Sequence, residues 1–130
     1  MKKLKKTRKK AKRISIGKLK EQADRALQDW YRRHYPNKFC EMCNVSRFYC
    51  MHHFITKASS NFLRYDTRNL VFVCKGCHSK FHKFIEPTYP ITLRQSRGLE
   101  WVEYIEERRY LKKYDNRKEL EKLINYYENN

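Results

Sequence analysis

Residues 40–82 read CEMCNVSRFYCMHHFITKASSNFLRYDTRNLVFVCKGCHSKFH, two Cys-x-x-Cys knuckles separated by thirty residues that carry a His pair. Each knuckle, Cys40/Cys43 and Cys74/Cys77, sets two thiols in one tight turn. Four thiolates from two such turns complete the tetrahedron of a structural zinc ion. Thirty residues exceed the spacing of the commonest four-cysteine site, so the interval holds an insert. Free or disulfide-bonded cysteines are the alternative, and matched knuckles in a basic chain of intracellular character argue against it. Cys50 is left over and reads as a small buried hydrophobe on a strand.

The insert and its flank supply histidines. His78 and His82 stand i, i+4, which stacks two imidazoles on one helix face within reach of one ion. His52 or His53 is the obvious third ligand. Three protein ligands leave positions open for water and substrate, the arrangement of a catalytic rather than a structural site. The other histidine of the pair is then free for acid–base work near neutral pH. A rival arrangement closes one tetrahedron from Cys74, Cys77, His78 and His82. It strands Cys40 and Cys43 and leaves the His pair unexplained.

The succession of His52-His53, Asn69 and helix-borne His78 and His82 resembles the HNH endonuclease superfamily, colicin-type nucleases in particular. The flanking knuckles resemble those of zinc-bearing HNH proteins of phages and restriction systems. Residues 51–78, MHHFITKASSNFLRYDTRNLVFVCKGCH, are similar to the phage NinG (Rap) recombination family, with His78 standing where an Asn is more usual there.

The resemblance implies an α+β fold: a small ββα-metal core on a four-cysteine zinc site, flanked by an N-terminal helix and C-terminal helices. Cys40, Cys43, Cys74 and Cys77 then hold structural Zn²⁺. His52, His78 and His82 hold one catalytic divalent ion (Mg²⁺, Mn²⁺, Ni²⁺ or Zn²⁺), and His53 is the general base. Asn69 tethers the backbone of the loop bearing His53. The implied activity is metal-dependent endonucleolytic hydrolysis of DNA, leaving 5′-phosphate and 3′-hydroxyl ends, in phage DNA processing, recombination or packaging. Arg64, Lys57 and Arg68 are candidate phosphate clamps, Arg64 foremost.

Plainer readings stand beside these. The three basic residues are also ordinary solvated charges on a long loop, and Asn69 also closes an Asp66–Asn69 turn. A non-catalytic zinc-ribbon nucleic-acid-binding protein accounts for the cysteines but has no use for His53 beside His52. A structure-specific nuclease for branched recombination intermediates keeps the chemistry and changes the substrate.

The chain has 130 residues, one domain's worth, and a formal charge of +17. Such an excess points to a polyanionic partner, here DNA. A membrane is the weaker partner, because no apolar run approaches the length of a spanning helix. Residues 1–20 hold eleven of the 31 Lys and Arg and no acid, so removing them from +17 leaves +6 on the rest. Residues 1–16 therefore read as a disordered basic tail that binds phosphates without sequence preference, or else as a solubilising or targeting tail. MKKLKKTRKKAKR has no apolar stretch behind its charges, which excludes a secretory signal and leaves the cytoplasm, the host's if phage-encoded.

Residues 17–130 read as one domain. Leu19, Ala23, Ala26, Leu27, Trp30 and Tyr31 recur at helical steps and predict a helix over 17–35, ended before Pro36. Within the 40–84 core, strands are expected over 48–55 and 70–73 and a helix from Cys77 to about residue 84, with Gly76 supplying a turn. Pro87 and Pro90 are expected to break the chain. C-terminal helices follow over 91–130, with Leu99, Val102 and Ile105 on one face, Asp115 as the N-cap of the last helix, and Leu120, Leu123, Ile124 and Tyr127 as its stripe. That stripe serves either the domain's own core or an oligomer interface.

Overall fold

A computed structural model describes residues 13–83 and 88–130. The expected basic tail lies outside the described residues up to residue 12. Beyond it, the Ser15 hydroxyl accepts from the Lys18 N–H at 3.2 Å and Ile16 opens the first helix.

Helix α1 (Ile16–His34) buries Leu19, Ala23, Ala26, Leu27 and Tyr31, the stripe its spacing dictates. Arg32, Arg33 and His34 close it where the helix dipole favours cations. Strands β1 (Cys50–His53) and β2 (Leu70–Val73) pair antiparallel, from Cys50 opposite Val73 to His53 opposite Leu70. β2 has its expected bounds. β1 is shorter than 48–55 because its ends are claimed by other partners: the Phe48 N–H bonds back to the Lys38 carbonyl beside the first knuckle, and the Ile55 N–H goes to the Asn69 side chain.

Two strands alone are marginal in water. Here both edges are occupied. Gln28 of α1 bonds the Met51 carbonyl at 2.9 Å and the Met51 N–H at 2.8 Å, and Arg32 takes the Tyr49 carbonyl. On the β2 edge the Glu41 N–H donates to the Phe72 carbonyl and Arg97 to the Leu70 carbonyl.

Helix α2 (Lys75–His82) starts two residues before the expected Cys77, because the Cys74 sulfur accepts from the Cys77 N–H and caps it. Gly76 therefore lies in the first helical turn, and it is not among the positive-φ residues. Helix α3 (Thr88–Arg97) contains Pro90, contrary to the expected break. Proline is tolerated in a helix's first turn, where its missing N–H has no partner to lose. Pro87 lies outside the described residues, and Gly98, with a φ of 85°, separates α3 from α4 (Leu99–Arg108).

The buried face of α4 is Ile105 with Trp101 and Tyr104, packed on Ile55 and Leu63. Leu99, expected on the apolar face, is 71 % exposed at the helix start. Helix α5 (Arg117–Asn129) is capped by Asn116, which accepts from the Glu119 N–H, rather than by Asp115. Its Leu120, Ile124 and Tyr127 bury against α1, so the stripe belongs to the chain's own core. Five α-helices and a two-stranded sheet make a mixed α+β fold among the described residues. None of these helices is long and apolar enough to cross a membrane.

Candidate metal centres and the His53 cleft

The two faces of the sheet carry different chemistry. Met51 and His53 with their partners Phe72 and Leu70 face one way, and Cys50 and His52 with Val73 and Val71 face the other. On the second face the knuckles meet. The sulfurs of Cys40, Cys43, Cys74 and Cys77 all lie within 4.8 Å of one another. Zinc–sulfur bonds of about 2.3 Å place tetrahedral sulfurs about 3.8 Å apart, and Cys43 Sγ to Cys74 Sγ is 3.9 Å. The four cysteines can thus hold a structural metal ion such as zinc.

Backbone N–H groups of Ser46 and Val45 aimed at Cys43 lower its thiol to about 6. Burial pushes Cys77 up to about 12, so that sulfur carries charge only where a cation offsets it. Cys50 is buried in β1 outside this cluster, as a small hydrophobe.

His52, His78 and His82 form a second cluster, their ligand nitrogens also within 4.8 Å of one another. The i, i+4 spacing brings His78 Nε2 and His82 Nε2 to 2.8 Å. His52 reaches them from β1, its ring stacked on Phe81 of α2 at 4.2 Å between centroids. Burial, then the neighbouring histidines, lower His52 to about 3. Burial first, then His82 and Lys57, also lower His78. Both rings are held neutral, the form in which imidazole binds a metal. The mixed Cys/His tetrahedron does not form, because Cys74 and Cys77 turn to the first knuckle while His78 and His82 turn to His52.

His53 ends β1 on the opposite face. Its Nε2–H donates to the Arg64 carbonyl at 2.8 Å, which leaves Nδ1 as the ring's acceptor. Burial, partly opposed by that carbonyl, lowers His53 to about 4. His53 lines a cleft of about 390 Å³ with Asp24, Arg25, Gln28, Asp29, Arg32 and Lys57. Lys57 Nζ lies 3.7 Å from Asp24 Oδ2 at this cleft.

Asn69 is buried. Its Oδ1 accepts from the Ile55 N–H at 2.8 Å, and its Nδ2 donates to the Ile55 and Leu63 carbonyls at 2.9 and 3.0 Å. It thus ties the residues just after His53 to the turn just before Arg64, while Asp66 closes the local turn by accepting from the Arg68 N–H.

The three basic candidates separate. Lys57 is at the cleft. The Arg64 guanidinium is spent on Asp24, with Nε to Oδ1 at 3.1 Å and a second nitrogen to Oδ2 at 2.5 Å. Arg68 lies over the Tyr104 ring and lines a different cleft with Arg97, Glu100 and Trp101. Asp24 and Gln28 escaped the sequence reading. Their one signal is an i, i+4 polar pair bordering the apolar stripe of α1, and each finds its partner far along the chain.

The model of the bacteriophage lambda NinG protein family matches residues 1–130, the whole chain. The chain belongs to the NinG family. No curated protein and no solved structure matches it. NinG membership points to a phage-encoded, recombination-related protein. It also spans the flanking helices, so α1 and α5 of this NinG chain belong to the family's extent as much as the cysteine-rich centre does.

Proposed function

We propose that this NinG chain is a metal-dependent endonuclease of HNH type acting on DNA. The observation that carries the reading is the convergence of His52, His78 and His82 on one face of the sheet end while His53, the next residue, is held by the Arg64 carbonyl with Nδ1 unengaged by that bond. A closed structural site has no ligands to spare. The four-cysteine cluster already accounts for the structural role, so three further converging histidines call for a second one. A charge of +17 fits a polyanionic substrate.

In this reading His53 Nδ1 takes the proton from the attacking water, and Asn69 and the Arg64 carbonyl hold the ring for that transfer. Lys57, which lines the cleft with His53, faces the scissile phosphate. Arg64 keeps its guanidinium on Asp24 and serves through its carbonyl. A divalent ion held by His52, His78 and His82 would supply Lewis-acid stabilisation of the phosphate and of the departing 3′ oxygen. The products carry 5′-phosphate and 3′-hydroxyl ends.

Supercoiled plasmid and a branched DNA are incubated with chelator-treated protein to which Mg²⁺, Mn²⁺, Ni²⁺ or Zn²⁺ is returned, wild type beside His53→Ala. Metal-dependent cleavage lost in the mutant is expected. Cleavage of the branched DNA alone selects a structure-specific nuclease, which recombination-related membership favours. Tight DNA binding without cleavage of either substrate selects the non-catalytic binding module.

A further inference from the structure

The His53 carbonyl partner is itself held from outside the β-β-α unit. Arg64 stands in a single 3-10 turn, Leu63–Tyr65, a short element whose position depends on what anchors it. Its backbone is tied locally, the Leu63 N–H to the Ser60 hydroxyl, the Arg64 N–H to the Ser60 carbonyl and the Leu63 carbonyl to Asn69. The Arg64 side chain itself is tied to α1, where the two carboxylate oxygens of Asp24 take its guanidinium in a two-pronged pair. Both partners are largely buried, with side-chain exposures of 18 % for Arg64 and 15 % for Asp24. Such a pair fixes direction as well as distance, and the residue it fixes carries the oxygen that receives the His53 Nε2–H at 2.8 Å.

We infer that Asp24 is a positioning residue for His53, acting through Arg64 to keep the imidazole in the tautomer and orientation that leave Nδ1 free to accept. This rests on the nuclease reading for its consequence in rate, but its geometric content stands apart from activity. Asp24 also lines the cleft in which the substrate phosphate is placed, and Lys57 Nζ is 3.7 Å from its Oδ2. A carboxylate there opposes DNA binding. Neutralising it therefore has opposite effects on the two kinetic constants: chemistry slows because the base loses its brace, while binding is unchanged or tightens. A residue that merely stabilised the fold would not split them so.

The test uses the full-length zinc-loaded chain as wild type, Asp24→Asn, Arg64→Lys and the charge-reversed pair Asp24→Arg with Arg64→Asp. The Tm and amide spectra establish that each variant folds. Ring-nitrogen NMR, with His53 assigned by its loss in His53→Ala, reads the tautomer directly. Wild type is expected in the single Nε2–H form and Asp24→Asn in a mixture, with kcat down about tenfold, the low end of the loss when a partner that orients a metal-ligating histidine is removed, and KM equal or lower. Reversal of the pair should restore a single tautomer and part of kcat. Unchanged His53 ring signals in folded Asp24→Asn overturn the inference whether or not the protein cleaves. A wild type that cuts no DNA overturns the nuclease reading and leaves the NMR result to decide the positioning claim.

Discussion

Replacing Asn69 by alanine should cost the fold about 3–4 kcal/mol, the sum of two orphaned backbone groups and a small void. Asn69 has 0 % exposure, so no water replaces the bonds it loses. It serves three backbone groups: the Ile55 N–H at 2.8 Å, the Ile55 carbonyl at 2.9 Å and the Leu63 carbonyl at 3.0 Å. The Leu63 carbonyl keeps the Asp66 N–H at 3.3 Å, so the loss falls mainly on the two groups of Ile55. A buried polar group left unpaired costs about 1–3 kcal/mol, and the vacated amide volume adds to it. Against the roughly 5–15 kcal/mol that holds a domain folded, this is a large fraction. Asn69→Asp separates the tether from a mere turn residue. Aspartate is as good a turn former and keeps the acceptor for the Ile55 N–H, but it turns a second oxygen on two carbonyls where Nδ2 now donates. It should cost at least as much as alanine. Urea unfolding of the zinc-loaded protein, followed by circular dichroism, measures both. A loss under about 1 kcal/mol for Asn69→Ala, the low end for a single orphaned group, or wild-type stability for Asn69→Asp, would refute the reasoning.

Cys40→Ser removes a thiol with 0 % exposure at the meeting point of the knuckles and should abolish tight zinc binding together with the cooperative unfolding transition, read by metal analysis and thermal melting; retention of one zinc per chain when His82→Ala is also present would exclude the four-cysteine site. His82→Ala, at the exposed end of the histidine cluster, should remove the looser second metal site by calorimetric titration with Ni²⁺ while moving the Tm by only a few degrees. Deleting residues 1–13, which carry nine Lys and Arg, should weaken DNA binding and lower the slope of log K against log salt by about 0.9 for each phosphate no longer neutralised; an unchanged slope would make the tail a solubility device.

How much of this was legible in the sequence follows from how local each interaction is. Each knuckle and the His78/His82 pair were legible because their spacing is set by backbone geometry within one turn; that the knuckles meet each other, and that His52 rather than His53 joins the pair, is decided by the fold. The stripes of α1 and α5 were legible because their buried residues repeat at the helical period, and β2 because a short apolar, β-branched run suits a strand buried on both faces. Pro90 and Asp115 misled because each acts by its place in a helical turn, and a shift of one or two residues changes a breaker into a tolerated first-turn proline, or a cap into the residue before the cap.

The arrangement around His53 was legible only in outline, because its parts come from distant segments. Strand alternation alone places His52 and His53 on opposite faces of the sheet, so the histidine cluster and the His53 ring are built from different neighbours. What surrounds His53 is contributed from elsewhere: Lys57, Asn69 and Arg64 from the insert, and Asp24 forty residues before Arg64 on α1. Arg64 shows the consequence most directly. Read along the chain it is a free cation suited to phosphate, whereas in the fold its guanidinium pairs with Asp24 and its backbone oxygen accepts from His53. A motif read on residues 40–82 alone would therefore assign the ligands and miss the brace. The helix that supplies Asp24 and Gln28 lines the His53 cleft, and the family's extent covers that helix with the rest of the chain.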